Sequence, residues 1–301
     1  MNGILCMNKP EGFTSFDVIA KLRGILRMRR LGHGGTLDPM ATGVLPVFVG
    51  GATRACDILP CQDKSYLARF ALGCETDTQD STGTVTARYD CRVTASQLLE
   101  VLPRFTGQIS QLPPMYSAVS VDGQRLYALA RQGVEVERKP RTITIHELEL
   151  RSFDEAAQTG TLFIACSKGT YIRTIIHDMG KALGSGGVMT GLERQSACGL
   201  TLADCVTFPQ VEAARDAGTL SALLLPIDRV FAAYPALHLN PAQSRMYRNG
   251  VKLSLDRLSI PAQSEKYRVY GADGCFFGIG RREGELFRVD KNLTAAGEDA
   301  S

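Results

Sequence analysis

The sequence has no apolar run near the roughly 20 residues that a membrane-spanning helix needs. Residues 1–10 show no basic stretch followed by a long apolar one, so no secretory signal is expected. There is no CxxC pair. The nine cysteines (Cys6, Cys56, Cys61, Cys74, Cys91, Cys166, Cys198, Cys205 and Cys275) are scattered and odd in number. That pattern argues against a disulfide framework and a structural zinc site. It reads as reduced thiols in a cytoplasmic protein, most of them small core residues. The chain also lacks the spacing of a Walker phosphate loop, so its glycines do not mark a nucleotide cofactor. Internal repeats and low-complexity segments are missing. The acidic group Glu75, Asp77 and Asp80 lacks full calcium-loop spacing and reads as a polar turn.

What remains is ordinary globular composition, 44% hydrophobic and 22% charged over 301 residues. That is enough for one large domain and a small one. The net charge of +3 says less than its distribution. Residues 18–37 contain no acid, yet hold Lys21, Arg23, Arg27, Arg29, Arg30 and His33. A second basic group is Arg125, Arg131, Arg138, Lys139 and Arg141, diluted by Glu135 and Glu137. Such clusters suit a polyanion.

The residue pattern predicts an α+β fold. Residues 8–12 form a turn, after which Thr14 or Ser15 caps a helix with Asp17 in its first turn. Phe16, Ile19, Leu22, Ile25 and Leu26 form its inward face, and it ends near Arg30. Strands are predicted at 65–72, 83–89, 142–153 and 161–167, and helices at 96–105, 125–132 and 170–183. The last of these turns Ile172, Ile175, Ile176 and Met179 inward. Beyond a boundary near 231–235 the chain becomes glycine-broken, with short strands at 267–270, 276–279 and 286–289. The expected organisation is a large α+β domain over 1–230, a compact β-rich domain over 231–293 and a disordered tail over 294–301.

The most informative stretch runs from Gly32 to Pro46. Its four glycines and two prolines fix an irregular backbone around a single carboxylate, Asp38, set between Leu37 and Pro39. A rigidly held Asp in a partly apolar loop can serve as a nucleophile or base, and an Asp-Pro turn is also common in any protein.

This segment, GHGGTLDPMATGVLP, closely resembles the catalytic motif of the TruB family of tRNA pseudouridine synthases. Further blocks fall in the family's order: Asn8-Lys9-Pro10 with Gly12 and Ser15, Lys64-Ser65-Tyr66, Pro113 to Ala118 with Gly123, Tyr127, Ala130-Arg131 and Gly133, and Gly169 to Arg173. The resemblance covers essentially the whole chain. It implies a pseudouridine-synthase domain with a mixed, largely antiparallel sheet, an RNA-gripping insertion over about 108–141, and a C-terminal PUA-like RNA-binding domain.

By that resemblance Asp38 is the nucleophile, attacking either the anomeric carbon of the sugar or the base. Arg173 holds it ionised and oriented. Tyr66 stacks on the target uracil and moves a proton at the sugar. Tyr171 and Leu192 wall the pocket, and His33 fills the space of a flipped-out base. Lys9, Arg131 and Arg141 are expected at the substrate. The substrate implied is the T stem-loop of tRNA, with uridine 55 converted to pseudouridine. The implied enzyme works in the cytoplasm as a monomer with no cofactor, metal, membrane or obligatory protein partner. The alternative is a non-catalytic protein that binds and folds tRNA on the same surface. His146, His177 and His238 read as structural. Three positions depart from the family's common pattern: Gly34 for threonine, Ser120 for lysine, and Glu193 for a basic residue. The first is expected to loosen the loop.

Overall fold

The computed structural model describes residues 1–117, 120–121, 123–134, 136–260 and 264–294. It is α+β and divides into two compact units, residues 1–62 with 196–301 and residues 63–195.

The first unit opens with β1 (Gly3–Lys9), α1 (Ser15–Leu26), β2 (Leu31–His33) and β3 (Thr42–Val49). Both β1 and β2 pair antiparallel with β3. From Gly43 on, β3 is buried throughout, so its sequence is a continuous apolar run rather than an alternation. Thr14 caps α1 through a capping box with Asp17, whose carboxyl these hydrogen bonds hold below the usual range. Val18, Ile19, Leu22, Ile25 and Leu26 pack against Leu5, Met7, Leu45, Val47 and Val49.

Two expectations fail here. The helix stops at Leu26, because Arg27 turns left-handed (φ 51°) and returns its N–H to the Arg23 carbonyl. Phe16 is 64% exposed, because the buried stripe is phased on Val18 and Leu22, and Phe13 packs inward instead, 5.5 Å from the Phe208 ring. Arg23, Arg27, Arg29 and Arg30 stay exposed, whereas Lys21 pairs with Glu212 at 3.2 Å.

The second unit contains β4 (Lys64–Leu72), β5 (Cys74–Thr76), β6 (Val85–Arg88), α2 (Ala95–Val101), β7 (Gly107–Gln111), β8 (Ser120–Val121) and β9 (Gln124–Arg125). There follow α3 (Leu126–Arg131), β10 (Arg141–Asp154), β11 (Thr159–Cys166), α4 (Ile172–Ala182) and β12 (Gly187–Ala197). The strand order is β12-β4-β11-β10-β7, and the pairs β4–β11, β11–β10 and β10–β7 are antiparallel. On α4 the expected stripe, Ile172, Ile175, Ile176 and Met179, is buried.

The chain then returns to the first unit with β13 (Leu200–Thr201) and α5 (Phe208–Asp216). It ends in β14 (Ala236–His238), α6 (Pro241–Arg248), β15 (Leu253–Ser254), β16 (Lys266–Tyr270), β17 (Phe276–Glu283) and β18 (Leu286–Asn292). These strands form a five-stranded sheet in the order β14-β16-β17-β18-β15. Its core holds Leu237, Tyr247, Tyr267, Val269, Phe277 and Phe287. Gly280 is required there, since a Cβ would meet the Phe287 ring at 2.3 Å. Thr294 is buried, and its N–H and hydroxyl both donate to Asn292. The rest of the expected tail, 295–301, lies outside the described residues.

None of the nine cysteines is disulfide-bonded. Only Cys6, Cys166 and Cys198 are buried, while Cys61, Cys91 and Cys275 are exposed, so most are not core residues. No helix of the described residues is long and apolar enough to cross a membrane.

Candidate active site

In the first unit, Asp38 sits in the loop between β2 and β3, and both of its neighbours are anchored. Ser15 Oγ, at the first turn of α1, accepts the Leu37 N–H at 2.9 Å, and the Leu37 side chain is 4% exposed. On the other side, the Pro39 carbonyl accepts the Gly12 N–H at 2.9 Å and the Lys9 ammonium at 3.2 Å. The Ala41 N–H closes the turn onto the Asp38 carbonyl at 3.0 Å. Two left-handed glycines, Gly35 (φ 127°) and Gly43 (φ 97°), make the sharp entry and exit. Asp38 itself is half-buried. The loop therefore presents one carboxylate from a backbone fixed on both sides, as a reacting group requires.

Lys9 was expected at the substrate. It is fully buried, and its ammonium also donates to the carbonyls of Phe13 (2.5 Å) and Pro10 (2.9 Å). It ties the 10–13 turn to the Asp38 loop. A buried ammonium is tolerable only when donated in this way. His33 lies at the end of β2, opposite Val47 and half-buried. Behind it, Gly34 is closely packed rather than loose. A Cβ there would lie 3.0 Å from the Cys198 Sγ and 3.2 Å from the Phe48 ring. The Cys198 thiol donates to the Gly34 carbonyl at 3.6 Å.

In the second unit, Arg173 is the second residue of α4 and is 6% exposed, not a surface arginine. Its guanidinium donates to the Tyr116 carbonyl at 2.8 Å and the Thr78 carbonyl at 3.5 Å. It lies 3.7 Å from Asp80 Oδ2 and 6.0 Å from the Tyr171 ring centre. Tyr171 caps α4 and is held by Gln111, which accepts its N–H at 2.9 Å and donates to its carbonyl at 3.0 Å. Gln111 ends β7, opposite Arg141, which is exposed at the start of β10. Tyr66 lies on β4 opposite Ile164 and is 6% exposed, and Leu192 on β12 is 8% exposed. The structure thus brings Arg173, Tyr171 and the Tyr116 backbone together within this unit. The side chain of Arg131, that of Ser120, and residues Ala118 and Glu135 lie outside the described residues.

Asp80 and Gln111 went unread as site residues. Asp80 is 4% exposed and accepts from the Thr78 hydroxyl (2.8 Å), the Thr82 N–H (3.0 Å) and the Thr82 hydroxyl (2.6 Å). The threonine-aspartate run over 76–82 was the available signal. It is the pattern of a carboxylate held by its own turn. The three remaining histidines do not gather. His146 pairs with Asp63 at the surface, and His238 stacks on Tyr270. His177 is buried on α4, and burial, then Lys181, holds its imidazole below the usual range. Among the described residues no His, Cys, Asp and Glu side chains group as a metal site.

Comparison with known proteins gives a consistent picture. Residues 23–172 match the N-terminal domain of TruB family pseudouridylate synthases, and residues 173–232 match the C-terminal domain of tRNA pseudouridylate synthase B. The tRNA pseudouridine synthase B of Dehalococcoides mccartyi is 44% identical over 280 residues, covering 93% of this chain and 92% of the relative. That of Clostridium kluyveri is 39% identical over 292 residues, covering 97% and 99%. Among solved structures, a chain of a Cbf5-Nop10-Gar1 complex superposes with a TM-score of 0.75 at 23% identity, covering 97% of this chain and 85% of that one. That likeness speaks for the fold.

Proposed function

The chain belongs to the TruB family of pseudouridylate synthases, and from that premise we propose how it works. It isomerises uridine in tRNA to pseudouridine. The glycosidic bond from C1′ to N1 breaks, the uracil turns, C5 joins C1′, and the proton on C5 is lost while N1 regains one. The target is the T-loop uridine at position 55, which is flipped out of its stack to be reached.

We assign Asp38 the role of nucleophile. The observation that carries this assignment is the double anchoring of its neighbours, Leu37 to Ser15 and Pro39 to Lys9 and Gly12. A carboxylate suits the step because it attacks charged and then departs, whether the attacked centre is the sugar or the base. Arg173, buried and fixed by two carbonyls, is the guanidinium that keeps the nucleophile ionised. Tyr66 stacks on the uracil and moves a proton at the sugar. Tyr171 and Leu192 wall the pocket, and His33 fills the vacated stack. Arg131 and Arg141 grip phosphates. Lys9 positions the loop. The 236–292 sheet is a PUA-like RNA-binding module, and the enzyme acts as a cytoplasmic monomer without an obligatory protein partner, which light scattering checks directly.

The deciding experiment incubates an unmodified T-arm RNA with wild type and with Asp38→Asn, with no added metal or nucleotide, and maps pseudouridine by carbodiimide chemistry. Conversion at one T-loop uridine by wild type alone, with RNA binding retained by the variant, is expected. Conversion by Asp38→Asn at the wild-type rate would remove Asp38 from the reaction.

A further inference from the structure

Cys6 and Cys205 stand 199 residues apart in sequence, yet their sulfurs are 3.3 Å apart. The backbone holds them there. Met7 and Val206 pair as a parallel bridge, the Val206 N–H donates to the Cys6 carbonyl at 2.8 Å, and the Asn8 N–H donates to the Val206 carbonyl at 2.9 Å. Each cysteine directly precedes a paired residue, so the two side chains leave the paired ribbon on one face. Neighbouring strands at this separation lie within the range a disulfide spans without backbone movement. The environments differ. Cys6 is 1% exposed and Cys205 is half-buried. The contact with Cys205, then burial, holds the Cys6 thiol well above its usual range. Asp204, next to Cys205, is paired with Arg229, which offsets its charge beside the outer thiol.

We propose that Cys6 and Cys205 are an oxidation site that closes a reversible disulfide in the presence of a peroxide. Cys205, the accessible partner, reacts first: its sulfur attacks a peroxide oxygen, the O–O bond breaks, and a sulfenic acid and one water result. The Cys6 sulfur then attacks the Cys205 sulfur, the S–S bond forms, the S–O bond breaks and a second water leaves. Two thiols give up two electrons and two protons, and one hydrogen peroxide becomes two waters. A dithiol reductant reverses the change by exchange. The bond ties β1 to the segment before α5 and closes a loop of 199 residues, which restricts the unfolded chain strongly. Its consequence is a first unit stapled at the strand that carries Lys9.

The test treats the full-length protein with hydrogen peroxide, alkylates remaining thiols after unfolding, digests it and reads the peptides by mass spectrometry. The expected product is a Cys6–Cys205 cross-linked peptide, 2 hydrogens lighter than the sum of its parts and lost on dithiothreitol treatment. Oxidised wild type should melt about 5 °C higher, and Cys205→Ser should show neither the cross-link nor the shift. The exposed Cys61, Cys91 and Cys275 serve as the internal control for oxidant reaching the protein. Recovery of both Cys6 and Cys205 as alkylated thiols while those three are oxidised would overturn the proposal in wild type alone, whatever the variant does. So would pairing of either residue with Cys198, or a Cys6–Cys205 cross-link that dithiothreitol does not reverse.

Discussion

Arg173 and Asp80 face each other 3.7 Å apart, with side chains only 7% and 6% exposed. One starts α4 and the other ends a tight threonine-rich turn, so the pair joins two segments 93 residues apart in sequence (173 − 80). The arginine is over-determined. Carbonyls of Thr78 and Tyr116 take its fork, and Asp80 supplies the opposite charge. A guanidinium with three partners is restrained in orientation, which suits the role proposed for Arg173.

Replacing Asp80 with Asn tests that constraint. Removing one partner of a buried pair leaves the other charge uncompensated, so stability should fall by about 3 kcal/mol. Conversion should fall through kcat, with KM for the T-arm RNA nearly unchanged, because the residue is buried in its own turn. Equal losses in KM and kcat would instead place Asp80 at the RNA.

Lys9 offers a second separation. If its ammonium is an interior tie, Lys9→Met leaves the carbonyls of Pro10, Phe13 and Pro39 short of a donor, at a cost of about 1–3 kcal/mol each at most. Conversion should drop while the salt dependence of RNA binding stays as in wild type. A phosphate contact would lower the slope of log Kd against log salt by about 1. Binding titrations at several salt concentrations decide between the two.

The sequence displayed the elements better than their environments. The stripe Ile172, Ile175, Ile176 and Met179 is readable because helical period forces it, and the Thr14 cap is readable because its chemistry is local. Phe16 was misplaced because a single aromatic at a helix start does not report which way the stripe is phased. The burial of Lys9 is not legible, because nothing in the sequence reports that three carbonyls from two separate turns converge on its ammonium. Gln111 on Tyr171, the Cys198 thiol against Gly34 and the facing of Asp80 by Arg173 are likewise long-range facts, fixed by tertiary folding, although the turn that holds Asp80 is local. Helix α6 was overlooked although its signals, Asn240 as cap and Pro241 at the first position, were present.

His177 gives a pH dependence of known sign. Burial, then Lys181, lowers its folded-state pKa below the ordinary 6.5, while Glu75 and Asp178 act weakly the other way. Between the depressed value and the unfolded one, the unfolded chain binds more protons, so stability rises with pH across that window and is lost as pH falls through it. His177→Gln should therefore lose less melting temperature than wild type between pH 7 and pH 5. The carboxyl of Asp178 is itself raised by burial and works in the opposite direction, but it is present in both proteins and largely cancels in the comparison. Parallel melting curves across the window would mean that His177 is not held neutral in the fold.

Gly34 and Cys198 make a coupled pair of sizes beside the Asp38 loop. A methyl group at position 34 would press on the Cys198 sulfur at 3.0 Å and the Phe48 ring at 3.2 Å, and neither has room to retreat, since both are buried in the same core. Gly34→Ala should therefore cost about 1–3 kcal/mol as an overpacked substitution. Its backbone is not left-handed, so conformational strain does not add to that cost. Cys198→Ala alone opens a small void and should also destabilise. Combined, each change relieves the other: the void takes the methyl, and the double variant should be more stable than the sum of the single effects predicts, with a coupling of about 1 kcal/mol or more. Strict additivity in denaturant melts would show that the loop yields at Gly34 instead, and in that case conversion, if Asp38 acts as proposed, should fall even in the double variant. Retained conversion in the double variant together with positive coupling locates the constraint in packing, at the sulfur.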